Sequence, residues 1–353
     1  MNTHDNFENC VKDQLTIKLS IRDNHEMTTR WLEYAMKVRL RFKIIIADGS
    51  NRSFILAKKH ENTLRVKLVR SEYDKDHITY MRKLSHILNK VVDTEFCLLA
   101  DNDDFYIFSE IERYVKFLME NRGYAACCGS IIKFELSQIY FGTPRFTHLA
   151  KLSSFKQKEP IKRLSAILDR ANYREIYYDV MYTKTLRTAL SDFIRLNNND
   201  VNYRFLEFYI AVKVLSTGKA KSFNEVFLLR QEDYQSSTSK DLGLLDSIFL
   251  KNWSHLYHNL IKYANTSFIN DHGEFNNEKL INQSFRTLFE THLSDKIISG
   301  GVRRISFISF LRSRYKKTFY FTLIKSLRSY VRIKRFYVSE SDLVKKLKKI
   351  VFD

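Results

Sequence analysis

Three carboxylates fall within four residues at Asp101-Asn102-Asp103-Asp104, directly after the apolar run Phe96-Cys97-Leu98-Leu99-Ala100. Like charges held this close repel, so each disfavours ionisation of its neighbours. A divalent cation relieves the repulsion, and hard carboxylate oxygens suit Mg²⁺ or Mn²⁺. A calcium loop does not fit, because Tyr106 stands at the sixth position, where such a loop needs glycine. The other reading is a solvated turn between strand and helix, with Asp104 capping the helix that follows. A fourth carboxylate, Glu207, lies between Leu206 and Phe208 in an apolar helical stretch. Partial burial there would raise its pKa toward the range useful to a general base, whereas a surface position on an amphipathic helix would leave it ordinary. Asp179 and Asp200 are the reserves for that role. Asp48, in Asp48-Gly49-Ser50, suits either ligand contact or a turn. The histidines do not converge, and no nucleophile elbow, phosphate-binding loop or dinucleotide fingerprint occurs.

The elements that must carry these residues alternate. Leu15–Ile21 reads as a strand and Met27–Arg39 as a helix, with Trp31, Tyr34, Ala35 and Val38 on one face. Phe42–Ile46 is a second strand running into the Asp48 turn, and Leu64–Val69 a third. His77–Val92 is helical, and Phe96–Ala100 is a fourth, wholly apolar strand. A helix over Ser109–Asn121 and a strand over Gly129–Phe134 follow. Alternation of this kind predicts an α/β fold with a mostly parallel sheet covered on both faces. Ligands then sit at the carboxyl ends of the strands, where Asp48 and the Asp101 cluster fall.

The run Phe96–Phe105 resembles the D-x-D segment of GT-A-fold nucleotide-sugar glycosyltransferases, especially the bacterial family-2-like type. Other segments follow in family order. Ser20-Ile21-Arg22-Asp23-Asn24 stands at the first turn, and Ala47-Asp48-Gly49-Ser50 is similar to the family's V-D-D-G-S. Phe205-Leu206-Glu207 opens a helix ending near Gly218, and Arg230-Gln231 comes after it. The likeness covers residues 14 to 235. The chain departs from the pattern in lacking Pro-Thr-Tyr at the first turn, in its single Asp48, and in Leu206 where an acid is usual. The resemblance implies a GT-A fold, a mixed, mostly parallel, Rossmann-like sheet flanked by helices. It also implies sugar transfer from a nucleoside diphosphate donor, a UDP-sugar first, to a hydroxyl of a glycan or lipid-linked acceptor. Asp101, Asp103 and Asp104 would hold Mn²⁺ or Mg²⁺. Arg22, Asp48, Gly49, Lys83 and Asp101 would contact the donor, and Glu207 would be the base.

The 353 residues carry a net charge of +19, with 44% apolar or aromatic residues, only 9 Gly and 2 Pro. That excludes a disordered chain, a turn-rich all-β protein and a disulfide-stapled module. Adjacent Cys127 and Cys128, in an apolar run, read as buried free thiols. Residues 1–240 form the expected transferase domain, and 241–353 a helical C-terminal region. Residues 301–353 alone hold 15 Lys/Arg against 3 Asp/Glu. With that segment set aside the charge is ordinary for an enzyme of anionic donors, which argues against a nucleic-acid-binding protein; the intact acidic cluster argues against a silent scaffold. Within the basic tail (303–350), Phe307, Leu311, Tyr315, Phe319, Leu323, Leu327 and Val331 recur every four residues among cations. Such a stripe suits an anionic membrane surface, or packing on the catalytic domain or in a homodimer. No run of 18 apolar residues occurs, so the expected location is the cytoplasm, with the inner-membrane face as the tail's docking surface.

Overall fold

The computed structural model describes residues 11–140, 143–169, 172–197, 202–232, 252–268 and 278–291, with backbone only for 136–140 and 143–148. Cys10, Asp200, the boundary near 240 and the tail beyond 303 lie outside these residues.

Among the described residues, nine strands form one sheet: β1 (Leu15–Ile21), β2 (Lys43–Asp48), β3 (Val66–Arg70), β4 (Phe96–Asp101), β5 (Asp104–Tyr106), β6 (Tyr124–Tyr140), β7 (Thr143–Ala150), β8 (Val180–Tyr182) and β9 (Lys219–Gln231). Their order is β3-β2-β1-β4-β8-β6-β9-β5, with β7 paired to β6. Strands β1 to β4 are mutually parallel. β8 runs against β4 and β6, and β9 runs with β6, so β1, β2, β3, β4, β6 and β9 share one direction. The expected mixed, mostly parallel sheet flanked by helices is what the chain forms.

Alternation along the strands feeds two cores. Leu15, Ile17, Leu19 and Ile21 join Ile44, Ile46, Leu98 and Ala100 under α1 (His25–Lys37) and α4 (Phe108–Glu120), where Trp31, Leu32, Ile111 and Leu118 are buried. Ile45, Cys97 and Leu99 face the other way. There they meet α3 (His77–His86), α6 (Thr183–Asn197) and α7 (Tyr203–Thr217), numbered after the short α2 (Lys58–Thr63) and α5 (Pro160–Leu168). Helix α7 is buried almost throughout from Phe205 to Leu215, so it has no solvent face on which Glu207 could sit. Helices α8 (Trp253–Ser267) and 278–291 pack on it through Phe205–Trp253 and Phe208–Phe285 ring contacts at 5.4 and 5.7 Å. The described part of the C-terminal region therefore shares a core with the sheet. No described helix is long and apolar enough to cross a membrane.

Element ends differ from the sequence expectation at two informative places. The helix expected over His77–Val92 stops at His86 and widens into a π-turn over Ile87–Val91; the Arg187 guanidinium takes the carbonyls of Leu88 in this turn and of Val92 just after it. Asp104 does not cap a helix. It begins the three-residue β5, paired Asp104 to Arg230 with β9, and α4 starts at Phe108. The cysteines described, Cys97, Cys127 and Cys128, are buried and free, as expected.

Candidate functional site

The site forms where β1, β2 and β4 end together. The register sets Ile21 beside Asp48 and Ser20 beside Asp101. After Asp101 the chain turns through Asn102, whose side-chain amide donates to the Asn24 carbonyl (3.1 Å) and the Thr28 hydroxyl (3.0 Å) at the start of α1. That anchor fixes the turn, and β5 then carries Asp104 back along β9. Each of Asp101, Asp103 and Asp104 thereby offers a carboxylate oxygen, all lying within 4.8 Å of one another. Burial first, and the charge of Asp101 second, push Asp103 up to about 6. Burial also raises Asp104 well above the usual carboxylate range, against the pull of Arg230. Three hard oxygens that repel in the absence of a counter-charge are a donor set that fits Mg²⁺ or Mn²⁺.

A second layer holds the triad, built from the segment Tyr173–Asp179 together with Arg230 of β9 and Arg204 of α7. The Tyr178 hydroxyl donates to Asp101 Oδ2 at 2.8 Å, and the Arg230 guanidinium lies over the Tyr178 ring, 4.1 Å from its centre. Arg230 Nε sits 3.5 Å from Asp104 Oδ2, and its Nη1 sits 3.3 Å from Glu175 Oε2. Glu175 Oε1 accepts from Arg204 Nη1 at 3.1 Å, and the same Nη1 lies 3.3 and 3.2 Å from the two oxygens of Glu207. A chain of alternating charge, Asp104–Arg230–Glu175–Arg204–Glu207, thus links the acidic triad to the expected base. Glu207 is 3% exposed; burial, then the charge of Glu175, raise its pKa to about 8 against Arg204 and Arg230. The reserve Asp179 is occupied elsewhere: both its oxygens bind Arg174 Nη1 and Nη2, at 2.6 and 2.9 Å, in a buried bidentate pair.

The remaining expected donor contacts stand apart from the triad. Asp48 continues the alternation of Ile44 and Ile46, away from the face of Leu99 and Asp101. Its Oδ1 accepts from Ser50 N, and its Oδ2 from Phe54 N and Arg70 Nη1, at 2.9 to 3.0 Å. Burial would raise its pKa, but these bonds outweigh burial and hold it below the usual range. Both oxygens therefore serve the turn. Gly49 has no room for a side chain, since a Cβ there would collide with the Asp74 carboxyl. Lys83, buried, donates to that carboxyl and to the Ile21 and Ala47 carbonyls (3.4 and 3.2 Å). Three acceptors use up the three hydrogens of an ammonium, so Lys83 staples β1, β2 and the Asp74 loop together. Arg22 Nη1 donates to the Asp74 carbonyl at 2.9 Å. Asp74, Glu175 and Tyr178 were not legible as site residues. Their partners are 9 to 77 positions away, and no period or motif marks them.

Beneath Asp101 lies a buried lysine. Lys18 bonds the Ser20 hydroxyl and stands over the Tyr80 ring at 5.3 Å, and burial with the nearby Lys83 charge lowers its pKa to about 7. Tyr80 in turn meets the Tyr177 hydroxyl at 2.8 Å, so tyrosines 80, 177, 178 and 203 gather between the triad and Glu207.

No family model and no curated protein sequence matches the chain. Among solved structures it is similar to residues 1–349 of S. aureus TarS, at 11% identity over 80% of this chain and 92% of that one, with a TM-score of 0.44. A longer S. aureus TarS structure gives 12% identity over 79% of this chain and 55% of that one, with a TM-score of 0.45.

Proposed function

We propose that the chain is a GT-A-type glycosyltransferase of the bacterial family-2-like kind, moving a sugar from a nucleoside diphosphate donor to an acceptor hydroxyl. The observation that carries this is the trio of carboxylates converging within 4.8 Å at the carboxyl end of a central parallel strand. Asp101, Asp103 and Asp104 would hold a divalent ion, which when bound supplies neutralising charge for a departing diphosphate. Arg230, lying between the triad and Glu175, is the cation best placed to meet the same diphosphate, and its Nη2 has no hydrogen-bond partner among the described residues. Glu207 accepts the proton of the acceptor hydroxyl, with Arg204 stabilising its ionised form. The tyrosines between Glu207 and the triad wall off water, and the partly exposed Tyr80, Tyr178 and Tyr203 present aromatic surface to a sugar. Asp48, Gly49 and Lys83 act by shaping the end of the cleft rather than by direct contact with the diphosphate. A glycan or lipid-linked acceptor in surface-polymer synthesis, with the basic tail on an anionic membrane, completes the proposal.

The test is release of nucleoside diphosphate from a panel of UDP- and GDP-hexoses with and without Mn²⁺. Metal-dependent release from at least one donor is expected. No release from any donor, together with no stabilisation by any nucleoside diphosphate, contradicts the proposal.

A further inference from the structure

The ion chain between the triad and Glu207 passes through a residue that no motif contains. Glu175 reaches two arginines on separate elements, Arg204 on α7 and Arg230 on β9, with one oxygen to each. Arg204 Nη1 is the atom shared by both glutamates, at 3.1 Å from Glu175 and at 3.2 and 3.3 Å from Glu207. Arg204 Nη1 has two hydrogens to offer the two glutamates, and all three contacts are longer than the 2.9 to 3.0 Å at which an N–H···O bond is strongest. The side chain of Glu175 is 28% exposed, whereas that of Glu207 is 3% exposed.

We propose that Glu175 is a positioning residue for the transfer: bridging Arg204 and Arg230, it draws Arg204 partly off Glu207 and so keeps Glu207 a proton acceptor strong enough for a hydroxyl. The proposal rests on the transfer reading above, with Glu207 as base. The charged and titratable groups facing Glu207 are Arg204 on its own helix, Glu175, Arg230 from β9, and the Tyr173 and Tyr203 rings. Of the two nearby cations only Arg204 bonds it, and among the described residues Glu175 is the anion whose charge acts on it. Removing the Glu175 charge changes two things in the same direction. A repelling anion disappears, and Arg204 turns wholly to Glu207. Both favour ionised Glu207, so a base with a pKa near 8 becomes a weaker base that titrates at lower pH.

The experiment is UDP release from UDP-hexose with Mn²⁺, measured from pH 5.5 to 9.5 for the parent, Glu175→Gln and Arg204→Gln, with melting temperatures beside them. The parent rate should rise to a plateau through about pH 8. Glu175→Gln should move that midpoint down by about one pH unit, the scale of a like charge removed from a close pair. Arg204→Gln should move it up. A uniform loss of rate at every pH with an unmoved midpoint, in either variant, overturns the positioning role while leaving the transfer reading intact. A parent that releases UDP with no limb near pH 8 overturns Glu207 as the base, and this role with it. A parent that releases no UDP overturns the transfer reading itself.

Discussion

Asp179→Asn removes one charge from a pair that has no water to fall back on. Arg174 and Asp179 side chains are 2% and 1% exposed, and two parallel bonds of 2.6 and 2.9 Å join them. The guanidinium also donates to the Ser153 carbonyl at 3.1 Å and lies over Phe155. The asparagine keeps the shape and part of the hydrogen bonding but leaves Arg174 charged, buried and uncompensated. Breaking such a pair from one side costs about 3–5 kcal/mol. At about 2–4 °C per kcal/mol for a core of this size, the melting temperature should fall by roughly 6–20 °C. The pair also closes the segment that carries Glu175, Tyr177 and Tyr178, so metal-dependent nucleotide binding should weaken in parallel. Circular dichroism melts of the parent, Asp179→Asn and the double replacement Arg174→Met/Asp179→Leu test this. The double variant should recover most of the loss, because an apolar pair leaves no stranded charge. A single variant melting within about 2 °C of the parent refutes the reasoning. Lost turnover with unchanged stability would instead make Asp179 a reacting group.

Lys18→Met should stabilise the protein in a pH-dependent way. The folded state gives up the Lys18 proton near pH 7, while an unfolded chain keeps it to about 10.5, so the unfolded state binds more protons across that window. Parent stability therefore gains up to about 1.4 kcal/mol per pH unit from this group as pH rises from 7 toward 10. The advantage of Lys18→Met, read from urea unfolding, should be greatest at pH 6 and shrink toward pH 10; a constant difference contradicts the assignment. Glu207→Gln should lower turnover by about 10²-fold or more while leaving donor affinity nearly unchanged. Turnover within a few-fold of the parent makes Glu207 structural.

Residues whose role follows from their immediate neighbours were legible in the sequence. The acidic cluster could be placed because an apolar strand runs straight into it, and Gly49 because it follows a strand. Partial burial of Glu207 was one of the two readings that Leu206 and Phe208 allowed, but the depth of α7, covered on all sides, was not legible: that depends on α8 and 278–291 packing over it. Long-range pairing hid the rest. β5 is three residues long and exists because β9 offers it a partner, so local propensity pointed to a turn and a cap instead. Lys83 carried a charge suited to phosphate, yet the Ile21 and Ala47 carbonyls at the ends of β1 and β2 and the Asp74 carboxylate absorb it. Glu175 has meaning only once β9 and α7 bring an arginine to each of its oxygens.

The central claim, that Asp101, Asp103 and Asp104 form a metal-dependent nucleotide site, is tested most directly by thermal denaturation with UDP, with Mn²⁺ and with both. A ligand at a hundred times its dissociation constant stabilises the native state by about 2.7 kcal/mol, or roughly 5–10 °C here. The parent should show that rise with UDP and Mn²⁺ together and not with UDP alone, and Asp103→Asn should fold but lose it. A metal-dependent rise of the same size in Asp103→Asn, or none in the parent, contradicts the account.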